Sequence, residues 1–179
     1  QPWQVAVASG AGLARLREAL LARHAQGEPV QMDYSPPREY RGVYLERRRE
    51  SGYQLYDAVG IARGDRAAYQ CQADRNFVMF DAPHVAIITC DEAMGTYGAI
   101  DCGGYVSTFL LAARADGVAS VPQAALAMYP EVLRRELGLG EDRRVVCGIS
   151  FGYEDTAHPA NQYRTRRAAV EDVVSWIDV

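Results

Sequence analysis

Polar and apolar positions follow two periods along this chain, and the period identifies each element. Trp3 to Ala8 (WQVAVA) predicts a strand. From Gly10 the spacing lengthens, so that Leu13, Leu16, Leu20 and His24 share one face of a helix while Arg15, Glu18 and Arg23 lie off it. That face is expected to pack, with His24 a satisfied helix-end imidazole rather than a catalytic one. Glu28 to Pro37 is a loop closed by Ser35-Pro36-Pro37, and Arg38 to Val59 forms one long helix or two joined at Ser51-Gly52. Gly64 to Val78 returns to helical spacing through Ala67, Ala68, Cys71 and Phe77, and Arg75-Asn76 at its C-terminal end can satisfy the last carbonyls. His84 to Cys90 (HVAIITC) is an unbroken apolar run, which predicts a strand buried on both faces.

The longest agreement of helix, stop signal and turn runs from Tyr97 to Leu126. Asp101 reads as the N-cap, Tyr105, Val106, Phe109, Leu110, Ala112 and Ala113 are apolar nearly all round, and Asp116-Gly117 supplies the stop. A helix so apolar is expected to be buried. Gly103, Gly104, Ser107 and Thr108 in its first turns let another backbone or a flat ring come close. Val118 to Val121 is a short link. Pro122 is then expected at the first position of a new helix (QAALAMY), leaving the N–H groups of Gln123, Ala124 and Ala125 without intrahelical partners. Pro130 to Leu137 is a helix closed by Gly138 and Gly140, and Arg144 to Tyr153 a strand whose glycines permit close backbone approach. A loop follows to Gln162, then the basic YRTRR segment and a terminal VVSW suited to a sheet edge.

With 179 residues, 49% of them hydrophobic, the chain has the size of one domain with a sizeable core. A formal charge of −4 gives no general attraction to nucleic acid or acidic membranes, so an anionic ligand needs a local basic cluster. Tyr34, Tyr40, Tyr44, Tyr53 and Tyr56, mixed with Arg41 and Arg47-Arg48-Arg49, raise the question of nucleic-acid stacking. Three consecutive arginines fall on different helical faces, however, and Glu46 and Glu50 flank them, which favours a solvated helix. No apolar run has the length of a membrane span, and no signal peptide is expected. Four scattered cysteines without a CxxC pair fit reduced thiols in a core and hence a cytoplasmic location. His24, His84 and His158 lack partners at metal-ligand spacing, so no metal is expected.

The chemistry is narrowed by what is missing and by one cluster. No Gly-x-Ser-x-Gly elbow occurs, no cysteine has a readable histidine partner, and Walker or GxGxxG loops are absent. Arg164, Arg166 and Arg167 concentrate positive charge within four residues, and the guanidinium fork suits phosphate oxygens. A solvated basic loop is the alternative.

Four stretches occur in an order that carries a resemblance: QPW at the start, RNFVMFDAPHVAIIT, GGYVSTFLLAARADGVASVPQAALAMYP, and GISFGYEDTAHPANQYRTRRAAVEDVVSW. Together they resemble the FMN-dependent nitroreductase family. The resemblance implies an α+β fold, a mixed, largely antiparallel sheet of four or so strands flanked by helices, in a single domain over 1–179 that forms an intertwined homodimer with two flavins at its interface. It implies NAD(P)H-dependent reduction of nitroaromatic or quinone-type acceptors by ping-pong hydride transfer through FMN. The rivals are enone reduction or reductive dehalogenation on the same flavin, and a flavin-binding protein without turnover.

By the same resemblance the backbone N–H groups of Ala124 and Ala125 meet the flavin N5 and O4, and Gln1, Asn76, Pro122 and Gln123 join them around the ring. Arg75 is a weaker candidate, and the tyrosine-rich 38–59 segment is a wall of the substrate pocket. Arg164 and Arg167 are the implied phosphate ligands, with Arg166 beside them. The family's Arg/Ser/Arg phosphate motif lies upstream of the position that Gln1 matches, so the sequence is expected to be N-terminally truncated relative to the family.

Overall fold

Strands β1 (Trp3–Ser9), β2 (His84–Asp91), β3 (Ala119–Gln123) and β4 (Arg143–Gly152) form one sheet in the order β1-β2-β4-β3. The computed structural model describes residues 1–177. Five helices accompany the sheet: α1 (Gly10–Ala25), α2 (Gly42–Ala58), α3 (Arg66–Asp74), α4 (Gly95–Ala115) and α5 (Pro130–Leu137). Every pairing in the sheet is antiparallel, where the resemblance implied a largely antiparallel one.

The unbroken apolar run of β2 is explained by two cores. Val85 and Ile87 point into one with Leu13, Leu16 and Leu20 of α1 and with Leu126 and Leu133, while Ala86, Ile88 and Cys90 point into the other with Cys102, Phe109 and Ile149. Alternate residues of a strand face opposite ways, so a strand covered on both faces is apolar at nearly every position, the exception here being buried Thr89, whose hydroxyl donates to Gln4 O at 3.3 Å. Full burial of a side chain such as Leu16 or Leu20 is worth about 1.5–3 kcal/mol, and both are 0% exposed.

Helix α4 covers the second core, but it begins earlier than expected. Asp101 lies exposed inside it. No side chain caps the helix itself, whose N-cap is Met94; Asp91 accepts from Ala93 N–H at 2.9 Å and caps the short 3-10 turn before it, after which Gly95, at φ 51°, leads into the helix. Its end is as expected, at Ala115 with Gly117 at φ 74°. The expectation of full burial does not hold within one chain: Tyr97, Ile100 and Leu111 are 81, 62 and 74% exposed. Only one face of α4 meets the sheet. Gly98, not Gly103 or Gly104, is the position of closest approach, because a Cβ there would run into Cys90 Sγ and stand 2.6 Å from Met94 Cβ.

Three further boundaries differ. The helix expected over 64–78 ends at Asp74, since Asn76 Nδ2 donates to Ala73 O at 2.9 Å and closes it, and Cys71 is exposed rather than packed. Most of the link expected at 118–121 is strand: β3 runs from Ala119 and includes Pro122. Proline is tolerated because β3 is an edge strand with only β4 beside it. The VVSW segment forms no strand; a 3-10 turn at Val170–Asp172 precedes irregular chain.

Contacts divide the chain into two compact units. The first, Gln1–Arg38 with Arg66–Glu154, holds the sheet and four of the helices. The second, Glu39–Asp65 with Asp155–Val179, holds α2 as one continuous helix through Ser51-Gly52, with Arg48 over the Tyr40 ring at 4.9 Å, Arg63 over Tyr53 at 4.7 Å and Arg166 paired with Glu50. No strand occurs among its described residues, so VVSW has no ladder to join within that unit.

Candidate active site

The segment after β3 turns at Gln123, whose φ −131° and ψ 107° are extended, into a 3-10 helix over Ala124–Met128 rather than the expected α-helix from Pro122. The first N–H groups of such a turn have no partner inside it. Ala124 and Ala125 therefore keep N–H groups with no partner inside the turn, whereas the i→i+3 bonding of a 3-10 helix takes that of Leu126. Leu126 and Ala127 anchor the turn in the core, and a Cβ at Gly148 of β4 would collide with Leu126 Cδ1 and stand 3.1 Å from Ile87 Cδ1. Gly148 is what lets the turn sit down on the sheet. Ala124 is exposed and Ala125 half-buried, so the outer surface of this corner is main chain and methyl groups.

Two of the expected site residues meet there. Gln123 is 4% exposed, and its Nε2 donates to Asn76 O and Asn76 Oδ1, both at 3.1 Å. Its Oε1 accepts from Ser150 Oγ of β4. The contact joins the 3-10 segment Arg75–Asp81 to β3 and β4. That segment carries three consecutive non-glycine residues in the left-handed region, Met79, Phe80 and Asp81, with φ of 54°, 49° and 64°. Each such residue costs about 1–2 kcal/mol. The conformation is held by burial of Met79, by Arg75 Nη2 on Asp81 Oδ2 at 2.8 Å, by Arg17 Nη2 on Ala82 O at 2.7 Å and by Ala82 N–H on Met79 O at 3.0 Å. Arg75 is thereby committed to Asp81.

The remaining expected residues are Gln1 and the three arginines. Gln1 precedes β1, the opposite edge of the sheet from β3, beside Pro2, whose carbonyl accepts from Arg143 Nη2 at 3.0 Å. Arg164, Arg166 and Arg167 belong to the second unit and are exposed. Arg164 Nη1 donates to Asn161 O and Tyr163 O at 2.7 and 2.8 Å, Arg167 Nη1 to Thr165 Oγ1 at 2.8 Å, and Arg166 Nε to Glu50 at 2.7 Å. His24 accounts for itself structurally, between Tyr129 Oη at 2.8 Å and Asp74 Oδ1 at 3.0 Å.

No ionisable side chain stands at the corner ready for nucleophilic work. Cys147, next to Gly148, is pushed up to about 11 by burial, and Cys102 to about 12 by burial and then by neighbouring Cys90. Both remain thiols near neutrality, and a thiol is the inert form. Among the described residues no group of three His, Cys, Asp or Glu side chains could hold a metal, and no helix is long and apolar enough to cross a membrane. Sequence reasoning missed Ser150; the signal was a hydroxyl inside an otherwise apolar strand.

Comparison with known proteins adds a consistent set of matches. A family model described as the nitroreductase family matches residues 1–153. The nitroreductase NfnB of Mycolicibacterium smegmatis is 42% identical over 178 residues, 98% of this chain and 75% of that protein. A 4-nitrobenzoate reductase of a Nocardioides species is 33% identical over 181 residues, 99% of this chain and 73% of that protein. The crystal structure of FMN-dependent NfnB from Mycobacterium smegmatis in complex with NADPH superposes with a TM-score of 0.93 at 38% identity, covering 99% of this chain and 79% of that one. The FMN and NADPH-dependent NfnB from Sphigopyxis sp. strain HMH gives 0.95 at 32% identity, with 99 and 81% coverage.

Proposed function

The chain belongs to the nitroreductase family, and on that premise we propose that it is an FMN-dependent oxidoreductase carrying reducing equivalents from NAD(P)H to nitroaromatic or quinone-type acceptors in two alternating half-reactions. The supporting relatives are an FMN-dependent NfnB crystallised with NADPH and a 4-nitrobenzoate reductase. The observation that carries the reading in this chain is the corner at 123–126. It offers main-chain donors among methyl groups, beside an amide at Asn76, a combination that suits the polar edge of a flat ring. When bound, FMN supplies the redox chemistry itself, accepting reducing equivalents from NAD(P)H and delivering them to the acceptor.

The protein then has to hold, orient and screen. Ala124 and Ala125 would present N–H groups to the N5 and O4 side, while Pro122, Gln123 and Asn76 fix the position of that turn. Gln1 would approach from the other sheet edge. Arg164 and Arg167 would bind the phosphate, and Arg166, committed to Glu50, would contribute less. Purified protein should show flavin absorption bands that bleach on a catalytic timescale under anaerobic NADPH. Bands that persist would mean a flavin binder without turnover, and bleaching without reoxidation by nitroaromatics or quinones would favour enone reduction or dehalogenation.

Replacing Arg164 and Arg167 together by alanine should raise the FMN dissociation constant by at least about tenfold, since charge-assisted contacts are worth on the order of 1.5–3 kcal/mol. Flavin fluorescence titration measures this, and an unchanged constant removes both residues from the site.

We further read the chain as a cytoplasmic homodimer. The exposed side chains of Tyr97, Ile100 and Leu111 on α4 support an interface, and four free thiols support a reducing compartment. Light scattering should give twice the 19.7 kDa chain mass; the single-chain mass would sink the dimer. Recovery of the protein outside the soluble cell fraction would sink the location.

A further inference from the structure

The amide of Gln123 decides which end of Asn76 is left for a ligand. Nε2 of Gln123 stands 3.1 Å from Asn76 O and 3.1 Å from Asn76 Oδ1. Asn76 O is a main-chain carbonyl and only accepts, so the atom facing it must be the amide nitrogen. With both hydrogens of Nε2 committed, Oε1 turns to β4 and accepts from Ser150 Oγ. The same logic passes one step further. The atom of Asn76 facing Nε2 must be Oδ1, which turns Nδ2 toward Ala73 O at 2.9 Å, again an acceptor. Two main-chain carbonyls at the ends of the network thus fix both amides. Nδ2 carries two hydrogens and Ala73 O takes one; no acceptor among the described residues takes the other. Half-buried Asn76 therefore has an uncommitted N–H to offer a ligand, while its Oδ1 is turned to Gln123.

We propose that Gln123, held by Ser150, is a positioning residue that locks Asn76 with its remaining N–H directed to the carbonyl-bearing pyrimidine edge of bound FMN, so that the reduced flavin is favoured over the oxidised. This rests on the reading of the corner as an FMN site. The reduced ring carries more negative charge along that edge, and a fixed donor interacts more strongly with the more charged state. A freely rotating Asn76 would present either end, and the preference would be averaged away.

The test is the midpoint potential of the FMN-loaded protein, measured by absorbance against reference dyes, alongside thermal stability. Gln123→Glu presents oxygens to Asn76 and turns its amide over. The preference for reduced over oxidised FMN should then fall about tenfold, a potential lower by about 30 mV for a two-electron couple. Gln123→Met keeps the volume, frees the amide and should give a smaller fall. In an Asn76→Ala background Gln123→Met should add nothing, because it acts through Asn76. A purely structural role would lower the melting temperature of Gln123→Met and leave its potential where it was, and that result overturns the proposal; for Gln123→Glu, whose carboxylate disfavours the reduced ring by charge alone, a fall of the same size in the Asn76→Ala background overturns it. If neither Gln123 variant folds, Ser150→Ala, which releases Oε1, takes their place, and an unchanged potential there overturns it equally. Wild-type protein that takes up no FMN would defeat the underlying reading and this inference with it, and is recognised by the absence of any flavin band to titrate.

Discussion

Ala124→Pro is expected to slow reduction of bound FMN by NADPH by about 10²–10³-fold while the fold is retained, by analogy with the loss of one preorganised backbone donor. Proline removes an N–H and little else at this position. Ala124 is exposed, it opens the 3-10 turn where an N–H has no partner within the turn, and Gln123 before it is at φ −131° and ψ 107°, a conformation that a following proline favours. Gln123→Ala cannot serve as the neutral comparison, because the Gln123 amide ties Asn76 to Ser150. Ala124→Ser is the better control, since it keeps the donor and adds a hydroxyl at an exposed site. Stopped-flow traces at saturating FMN decide the matter: equal rates for the proline variant and wild type would make the corner a packing element only.

Asp33→Ala is expected to destabilise the first unit by about 3–5 kcal/mol, the usual cost of removing one partner from a buried ion pair. Strand β3 stops at Gln123 opposite Gly148, so β4 has no strand beside Val145 on that side. The Asp33 carboxylate takes the place of one. Its side chain is 7% exposed, and Oδ2 accepts from Val145 N–H at 2.7 Å and from Arg134 Nη2 at 2.7 Å, with Arg144 Nη1 3.6 Å from Oδ1. Alanine would leave the Val145 N–H without its acceptor and the largely buried Arg134 guanidinium without its carboxylate, holding only Arg143 O at 2.8 Å. Asp33→Asn keeps an oxygen for Val145 and should cost less. Urea unfolding should show a lower midpoint with an unchanged slope for Asp33→Ala. A midpoint within the error of wild type would mean that water replaces the carboxylate at no net cost.

The elements with strong periodicity were legible in the residues alone. Leu13, Leu16 and Leu20 at helical spacing gave α1, the unbroken run from Val85 to Cys90 gave a strand covered on both faces, and Gly117 and Gly138 marked helix ends, because each of these signals is a local consequence of backbone geometry. The family could be read from four ordered motifs, and the matches over residues 1–153 establish it. Tertiary structure decided the rest. Pro122 reads as a helix start on any local rule, and it lies in β3 only because β4 supplies a partner on one side and none on the other. Asp101 reads as a cap on local rules, but the helix has already begun at Gly95, because β2 ends at Asp91 and a short 3-10 turn leads straight into it. Asp33, in a loop without periodicity, and Ser150, in an apolar strand, gave no local sign of their partners, since a carboxylate's or a hydroxyl's role is set by what the fold brings within about 3 Å of it. That Gln123 holds Asn76 across 47 positions of chain is likewise a property of the packed turn, because no local signal specifies a hydrogen bond between residues so far apart.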